Sequence, residues 1–242
     1  AGHHEKVVTA GKRTKFGINS EMLDTLQTVV RRHNLKLVGF NQHIGSLFMD
    51  ETAYAASAEQ LMQTAMRFEH LEFIDMGGGF GIPYMKQDGQ APLDLAPFRA
   101  RLNATMEDFA HRYGKRVKFR SEPGRYVVAE CGVLLGTVHA LKEHAGVNYV
   151  GTDLGFNVLM RPVLYDSYHD IEVYRGNQLA RTGSDTVTIV GNICESGDKL
   201  AEDRTLPEIY EGDALGVMDA GAYGYSMASN YNNRLRPAEV LI

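Results

Sequence analysis

The sequence predicts an α/β fold followed by a β domain, and three observations carry that expectation. Over residues 1–125 a short apolar strand, a glycine-rich or polar loop and an amphipathic helix recur in that order. That alternation requires parallel strands joined by helical crossovers. Beyond about residue 126, helical periodicity gives way to short apolar runs separated by turns such as Glu211–Gly212–Asp213, the pattern of a mostly antiparallel sheet. Third, 44 % of the 242 residues are hydrophobic and 23 % charged, an ordinary globular balance that allows a large core.

The elements follow in chain order. Ser20 is read as the cap of a helix carrying Leu23, Leu26 and Val30. The first strand, Leu37–Phe40, runs into His43–Ser46, and an alanine-rich helix follows from about Thr52 to Phe68. The second strand, Phe73–Met76, opens onto Gly77–Gly81. Its helix, from about Pro97 to Tyr113, sets Phe98, Leu102, Met106, Phe109 and Tyr113 at helical spacing, with proline in the first turn. The third strand, Val117–Arg120, leads into Ser121–Arg125. In β/α architectures the chemistry collects where strands end and loops begin. In the second half Val133–Val138, Thr186–Val190 and Ala214–Met218 read as strands. Residues 237–242 read as one more, cut off at its end, so the sequence is expected to be an excerpt of a longer chain.

Charge and composition exclude several classes. The net charge of −5, from 25 Lys+Arg against 30 Asp+Glu, offers no basic surface for nucleic acid. No run of 18 apolar residues exists to span a bilayer. Two cysteines, Cys131 and Cys194, are too few for a disulfide framework and fit a reducing, cytoplasmic setting. No metal site is expected.

Five loops gather residues with chemistry. Gly77–Gly78–Gly79 follows a strand, where the missing Cβ atoms let backbone N–H groups approach a phosphate; it reads equally as a tight turn before Ile82–Pro83. It fits neither a Walker loop nor the Gly-x-Gly-x-x-Gly spacing of dinucleotide sites. Glu122–Pro123–Gly124–Arg125 puts a carboxylate and a guanidinium at one strand end, to face one pocket or to pair on the surface. His43 with Ser46 reads as a site or as packed and solvated loop residues. Cys194–Glu195–Ser196–Gly197–Asp198 offers a nucleophile or a proton donor after an apolar strand. Asp219–Ala220–Gly221–Ala222–Tyr223–Gly224–Tyr225 presents tyrosines among small residues, for a ligand or over an aromatic core.

In their order, and together with Arg161–Pro162–Val163–Leu164–Tyr165–Asp166, these motifs resemble the fold type III (alanine-racemase-like) pyridoxal-phosphate decarboxylases. Within that superfamily they look most like the diaminopimelate decarboxylases. The resemblance runs from about Lys15–Phe16–Gly17–Ile18 to Arg236–Val240, and Ser226–Asn232 adds to it. It implies a partial (β/α)8 barrel of the TIM type over residues 1–125 and a β-barrel or sandwich domain over 126–242. It also implies pyridoxal 5′-phosphate as cofactor, a small amino-acid substrate, and a homodimer with shared active sites.

The same resemblance assigns roles. Gly77, Gly78, Gly79 and Tyr223 would hold the cofactor phosphate, helped by Ser46, and Gly124 belongs to the same cofactor-binding set. His43 would stack on the pyridine ring. Glu122 would face the ring nitrogen and keep it protonated. Arg125 would reach phosphate or a substrate carboxylate, where a planar fork suits an anion. Arg161 and Tyr165 would grip the distal carboxylate, Glu195 would accept from the distal ammonium, and Tyr223 would also touch the substrate. Cys194 would come from a partner subunit and return a proton after CO₂ leaves. Cys131, inside Ala129–Leu134, reads as a buried structural residue.

Selectivity follows from charge. A far end carrying both an amine and a carboxylate needs a cation and an anion, and Arg161 with Glu195 supplies both. A diamine-forming enzyme has no far carboxylate, and an unmatched buried arginine is costly. The expected reaction is therefore decarboxylation of meso-2,6-diaminopimelate to L-lysine, the last step of lysine biosynthesis. The competing expectations are another decarboxylase of this fold, acting on ornithine, lysine, arginine or a carrier-bound amino acid, and a non-catalytic antizyme-like fragment. One departure stands out. The lysine that binds the cofactor in this family lies in a Tyr-Ala-x-Lys-Ala-Asn type segment, and none of the nine lysines here has that setting. An excerpt, or half of a split enzyme, is expected.

Overall fold

Three parallel strands, β1 (Gly39–Asn41), β2 (Phe73–Asp75) and β3 (Lys118–Arg120), form the sheet of the first of two units. The computed structural model describes residues 14–242. The first unit runs up to Ile82 and includes Pro92–Tyr126; the second comprises Pro83–Ala91 and Val127–Ile242. In the first, pairing is in strict register: Gly39, Phe73 and Lys118 share one level, and Asn41, Asp75 and Arg120 another. A Cβ at position 39 would stand 2.4 Å from the Phe73 ring, so a larger residue than Gly39 would have to displace that ring. The Arg120 guanidinium lies over the same ring, 4.3 Å from its centroid.

Two long helices cover this sheet. In α2 (Thr52–Ala65), after α1 (Leu23–Arg32), the buried positions Tyr54, Ala55, Ala58, Leu61, Met62 and Ala65 fall on one face at helical spacing. The expected continuation to Phe68 is instead a tightened turn, with Arg67 and Phe68 N–H groups donating to Thr64 and Ala65. In α3 (Leu95–Tyr113), Asp94 caps the N-terminus by accepting from Ala96 N–H, so Pro97 falls within the first turn. Gly114 ends α3 at φ 69°, in the left-handed conformation. Ser20 does not cap α1. It opens a single 3₁₀ turn over Ser20–Met22, and no side chain caps either start.

The second unit is a seven-stranded sheet. Its strands are β4 (Leu134–His144), β5 (Val147–Thr152), β6 (Ile171–Arg175), β7 (Gln178–Leu179), β8 (Asp185–Val190), β9 (Lys199–Leu206) and β10 (Ala214–Val217). The order is β7-β6-β10-β4-β5-β8-β9, and only β5 and β8 run parallel. Two short helices, α4 (Gly124–Val128) and α5 (Arg161–Tyr165), punctuate the chain. Strand β4 runs six residues past the expected Val138 because its exposed polar half pairs with β5. Ala145 and Gly146, both at positive φ, close that hairpin. Val138, Val150, Val173, Ile189 and Leu215 form the buried centre, none more than 1 % exposed. Residues 237–242 form no strand, contrary to expectation. Cys131 is exposed rather than buried, with Sγ 2.9 Å from the Val128 carbonyl. The apolar residues flanking it, Val133 and Leu135, are exposed as well, so its setting is a surface and not a core. Among the described residues no helix is long and apolar enough to cross a membrane.

One charged contact ties the turn before β10 to β6. Arg175 holds Asp213 with two bonds, Nε to Oδ1 at 3.1 Å and a terminal nitrogen to Oδ2 at 2.9 Å, while Tyr210 N–H donates to Oδ2. Burial works to raise the Asp213 carboxyl, but the guanidinium and the backbone donor outweigh it and hold it below the usual range. A depressed carboxylate contributes stability that is present above its unfolded pKa and lost as pH falls through the folded one. Asp213→Asn is therefore expected to cost about 1–2 kcal/mol near neutral pH, a charged hydrogen bond discounted for the half-exposed arginine. The gap from the parent should close as pH falls below the ordinary carboxylate range. Chemical denaturation at several pH values checks this, and a gap independent of pH would refute it.

Candidate active site

Parallel strands in register deliver their following loops to one edge, and here the three loops touch through backbone atoms. Gln42 N–H donates to Asp75 O, Met76 N–H to Arg120 O, and Glu122 N–H to Gly77 O. Gly77 O also accepts from the buried Tyr54 hydroxyl at 3.0 Å, and Asp75 Oδ1 takes Gly77 N–H at 3.0 Å. A Cβ on Gly77 would stand 2.0 Å from Gln42 O, and one on Gly78 2.0 Å from Glu122 O. Gly79, at φ 105°, leaves no room against Gly45 O and the Phe48 ring. The glycine run is thus required by the approach of its neighbours as well as by its own turn.

The side chains expected at this edge are placed as follows. His43 is exposed, and its Nδ1 faces Gly78 N–H at 3.4 Å. Arg125 is 6 % exposed and donates to Ser46 Oγ at 2.9 Å. Glu122 and Gly124 are exposed, with Gly124 N–H turned back onto Glu122 O. Burial of Tyr54, with the nearby charges of Asp75 and Glu122, pushes its phenol well above the usual range, so it stays a donor to Gly77. The first unit therefore joins a glycine turn, an imidazole, a hydroxyl, a guanidinium and a carboxylate at one end of its sheet.

The second unit carries the remaining candidates. Arg161 opens α5 and is 1 % exposed; Tyr165, at the other end of that helix, is half-buried. The Arg161 guanidinium lies 4.4 Å from the Tyr84 ring centroid and 2.7 Å from His169 Nε2. His169 Nδ1 sits 2.7 Å from Met218 O. A carbonyl only accepts and a guanidinium only donates, so Nδ1 carries the proton and Nε2 accepts from Arg161. Tyr223 is exposed at φ 61°, a left-handed conformation unusual outside glycine. Its loop docks through Ala220 N–H on Gly132 O and Gly221 N–H on Ala129 O. A Cβ on Gly221 would meet Val128 O at 2.0 Å.

Cys194 and Glu195 stand exposed on the loop between β8 and β9. Asp198, 3 % exposed, closes that loop: its carboxylate accepts from Ile193 N–H and Phe156 N–H, both at 2.7 Å. Burial raises the Asp198 carboxyl, and the two N–H donors pull it back down. Sequence reasoning gave Asp198 no role. The available signal was its place after Ser196–Gly197, with Gly191 and Gly155 keeping the space its Oδ2 fills. His169, Tyr54 and Asp75 were missed too, since each acts by holding another group.

Residues 49–221 match the family described as pyridoxal-dependent decarboxylase, C-terminal sheet domain. The chain is 41 % identical to the diaminopimelate decarboxylase of Methanothermobacter thermautotrophicus, covering 100 % of this chain and 57 % of that protein. With the Escherichia coli K12 enzyme of the same name it shares 38 %, over 99 % of this chain and 59 % of that one. A solved diaminopimelate decarboxylase superposes with a TM-score of 0.84 at 38 % identity, over 97 % of this chain and 57 % of that chain. A Helicobacter pylori one, complexed with L-lysine, gives 0.81 at 30 %, over 95 % and 55 %. The chain thus spans little more than half the length of these relatives. By family match and by identity along its length, it belongs to the pyridoxal-dependent decarboxylases.

Proposed function

We propose that this chain supplies part of the cofactor site and the substrate-recognition loop of an enzyme that decarboxylates meso-2,6-diaminopimelate to L-lysine. The observation that carries this reading is the Cys194–Glu195 loop: a thiol and a carboxylate, adjacent and exposed, on a backbone fixed from beneath by Asp198. The kinship supports it, as does the L-lysine bound by the Helicobacter pylori relative, since lysine is the product of this reaction. In this reading the first unit is a portion of a (β/α)8 barrel and the second its β-barrel or sandwich partner. The assembled enzyme is a cytoplasmic homodimer in which Cys194 serves the partner's site.

The residues at the strand ends fit pyridoxal phosphate by their chemistry. The buried Arg125, oriented by Ser46, puts fixed positive charge beside a glycine turn, which suits a phosphate. Glu122 is exposed there to meet a ring nitrogen, and His43 to meet a ring face. When bound, the cofactor supplies the electron sink that makes loss of CO₂ from an amino acid feasible. The chain's own residues do the rest. Gly77 to Gly79 and Tyr223 hold the phosphate, with Gly124 completing the turn before Arg125. Glu122 keeps a proton on the ring nitrogen. Arg161 with Tyr165 binds the distal carboxylate, Glu195 binds the distal ammonium, and Cys194 Sγ delivers a proton to the carbon that has lost CO₂.

Two experiments test this in the full enzyme. Gly78→Ala is expected to weaken pyridoxal phosphate binding by about tenfold or more, because the new Cβ must push the 122 loop away. Unchanged affinity in a folded variant would refute the glycine turn as part of the phosphate site. Glu195→Gln is expected to cost roughly 2 kcal/mol or more in kcat/KM for diaminopimelate, with cofactor affinity unaltered. Release of CO₂ from lysine or ornithine as readily as from diaminopimelate would defeat the substrate assignment.

A further inference from the structure

The segment after the Tyr223 loop stands over the Cys194–Glu195 loop and makes two bonds to it. Tyr231 Oη donates to Glu195 Oε1 at 2.5 Å, and Cys194 N–H donates to Asn232 Oδ1 at 3.2 Å. The Tyr231 ring is set independently of its hydroxyl: it stacks on Phe156, with centroids 5.5 Å apart and planes at 29°. Phe156 in turn is anchored through its N–H to Asp198, the residue that closes the loop. A chain of contacts therefore runs from the buried carboxylate, through two rings, to one oxygen of an exposed one.

We propose that Tyr231 is the positioning residue for Glu195, fixing one carboxylate oxygen so that the other is presented to the distal ammonium of the substrate. The inference rests on the reading of Glu195 as the acceptor for that ammonium. A carboxylate has acceptor sites on both oxygens, and the phenol takes only one. A phenol is also neutral, so it orients Glu195 without cancelling the negative charge an ammonium needs; a lysine or arginine in its place would compete with the substrate. The adjacent Glu195 carboxylate raises the Tyr231 phenol above its ordinary range, so the donor keeps its proton. An exposed glutamate otherwise spreads over several rotamers and must be ordered when substrate arrives.

Tyr231→Phe removes the hydroxyl and keeps the stacked ring. In the full holoenzyme it is expected to raise KM for diaminopimelate about tenfold while changing kcat less than about threefold. For 2-aminopimelate, which keeps the distal carboxylate but lacks the distal ammonium, KM should stay within about twofold. The pairing is read without substrate by titrating isotope-labelled tyrosine by NMR: Glu195→Gln should lower the Tyr231 titration towards that of a free tyrosine. A Tyr231→Phe variant that leaves KM for diaminopimelate unchanged while Glu195→Gln raises it would overturn the positioning role alone. Equal effects on both substrates, or an unmoved Tyr231 titration, would overturn it too. If Glu195→Gln leaves KM for diaminopimelate unchanged, the ammonium assignment fails and the proposal falls with it.

Discussion

Backbone meeting backbone at the ends of β1, β2 and β3 is the constraint on which the first unit depends. Gly77 and Gly78 face carbonyl oxygens so closely that no side chain fits at either position. That contact is possible because the three strands are parallel and in register, so their loops emerge side by side. With the loops in contact, Glu122 N–H and the Tyr54 hydroxyl converge on a single carbonyl, that of Gly77. Arg125, one short turn further on, then reaches Ser46 in the loop that follows β1. A guanidinium buried to this degree needs a defined partner, and the Ser46 hydroxyl supplies one.

The second unit solves its corresponding problem with carboxylates. Asp198 and Asp213 are buried to about the same degree, 3 % exposed each, yet their ionisation shifts in opposite directions. Asp213 has a guanidinium in two-point contact, and its charge is favoured. Asp198 has backbone N–H donors, which offset only part of the cost of burial. The difference follows their tasks. Asp213 joins a turn to a neighbouring strand, where a strong charged contact serves. Asp198 shapes a tight loop from within, where its reach to two N–H groups matters more than the strength of either bond.

Much of this was legible in the sequence, and what was not has physical reasons. The strands before β4 and the two long helices were read from apolar runs and helical spacing, and α2 shows why most plainly, burying one continuous face. Strands β5, β6, β7 and β9 were not. Lys199–Leu206 carries four charged residues in eight, and it is held by pairing with β8 and by the buried Leu200 and Leu206 without a clean alternation to read. Cys131 misled because apolar neighbours usually mean a core, whereas Val133 and Leu135 face outward. Ser20 has the residue type of a helix cap but the geometry of a 3₁₀ turn. Among site residues, those with reactive groups were named from motifs. Those that hold them, Asp198, His169 and Tyr54, were not, since a supporting role is written in distances that spacing does not show.

That division between groups that act and groups that hold is only in part a division in burial, since the buried Arg125 and Arg161 act and the exposed Tyr231 holds. Cys194, Glu195, Tyr223, Glu122 and His43 are exposed, while Asp198, His169, Asp75 and Tyr54 are at most 8 % exposed. An exposed side chain is accessible but costly to order, and a buried one is already ordered. Asp198, fastening from beneath the loop that exposes Cys194 and Glu195, gives access and order together. Tyr223 shows the cost: it is held at φ 61°, a strained conformation that persists because Gly221 lets the loop press onto the backbone of residues 128–132. Replacing a buried anchor and replacing an exposed group therefore have different signatures, the first blurring the geometry of a site that still carries its chemistry, the second deleting the chemistry from a geometry that remains.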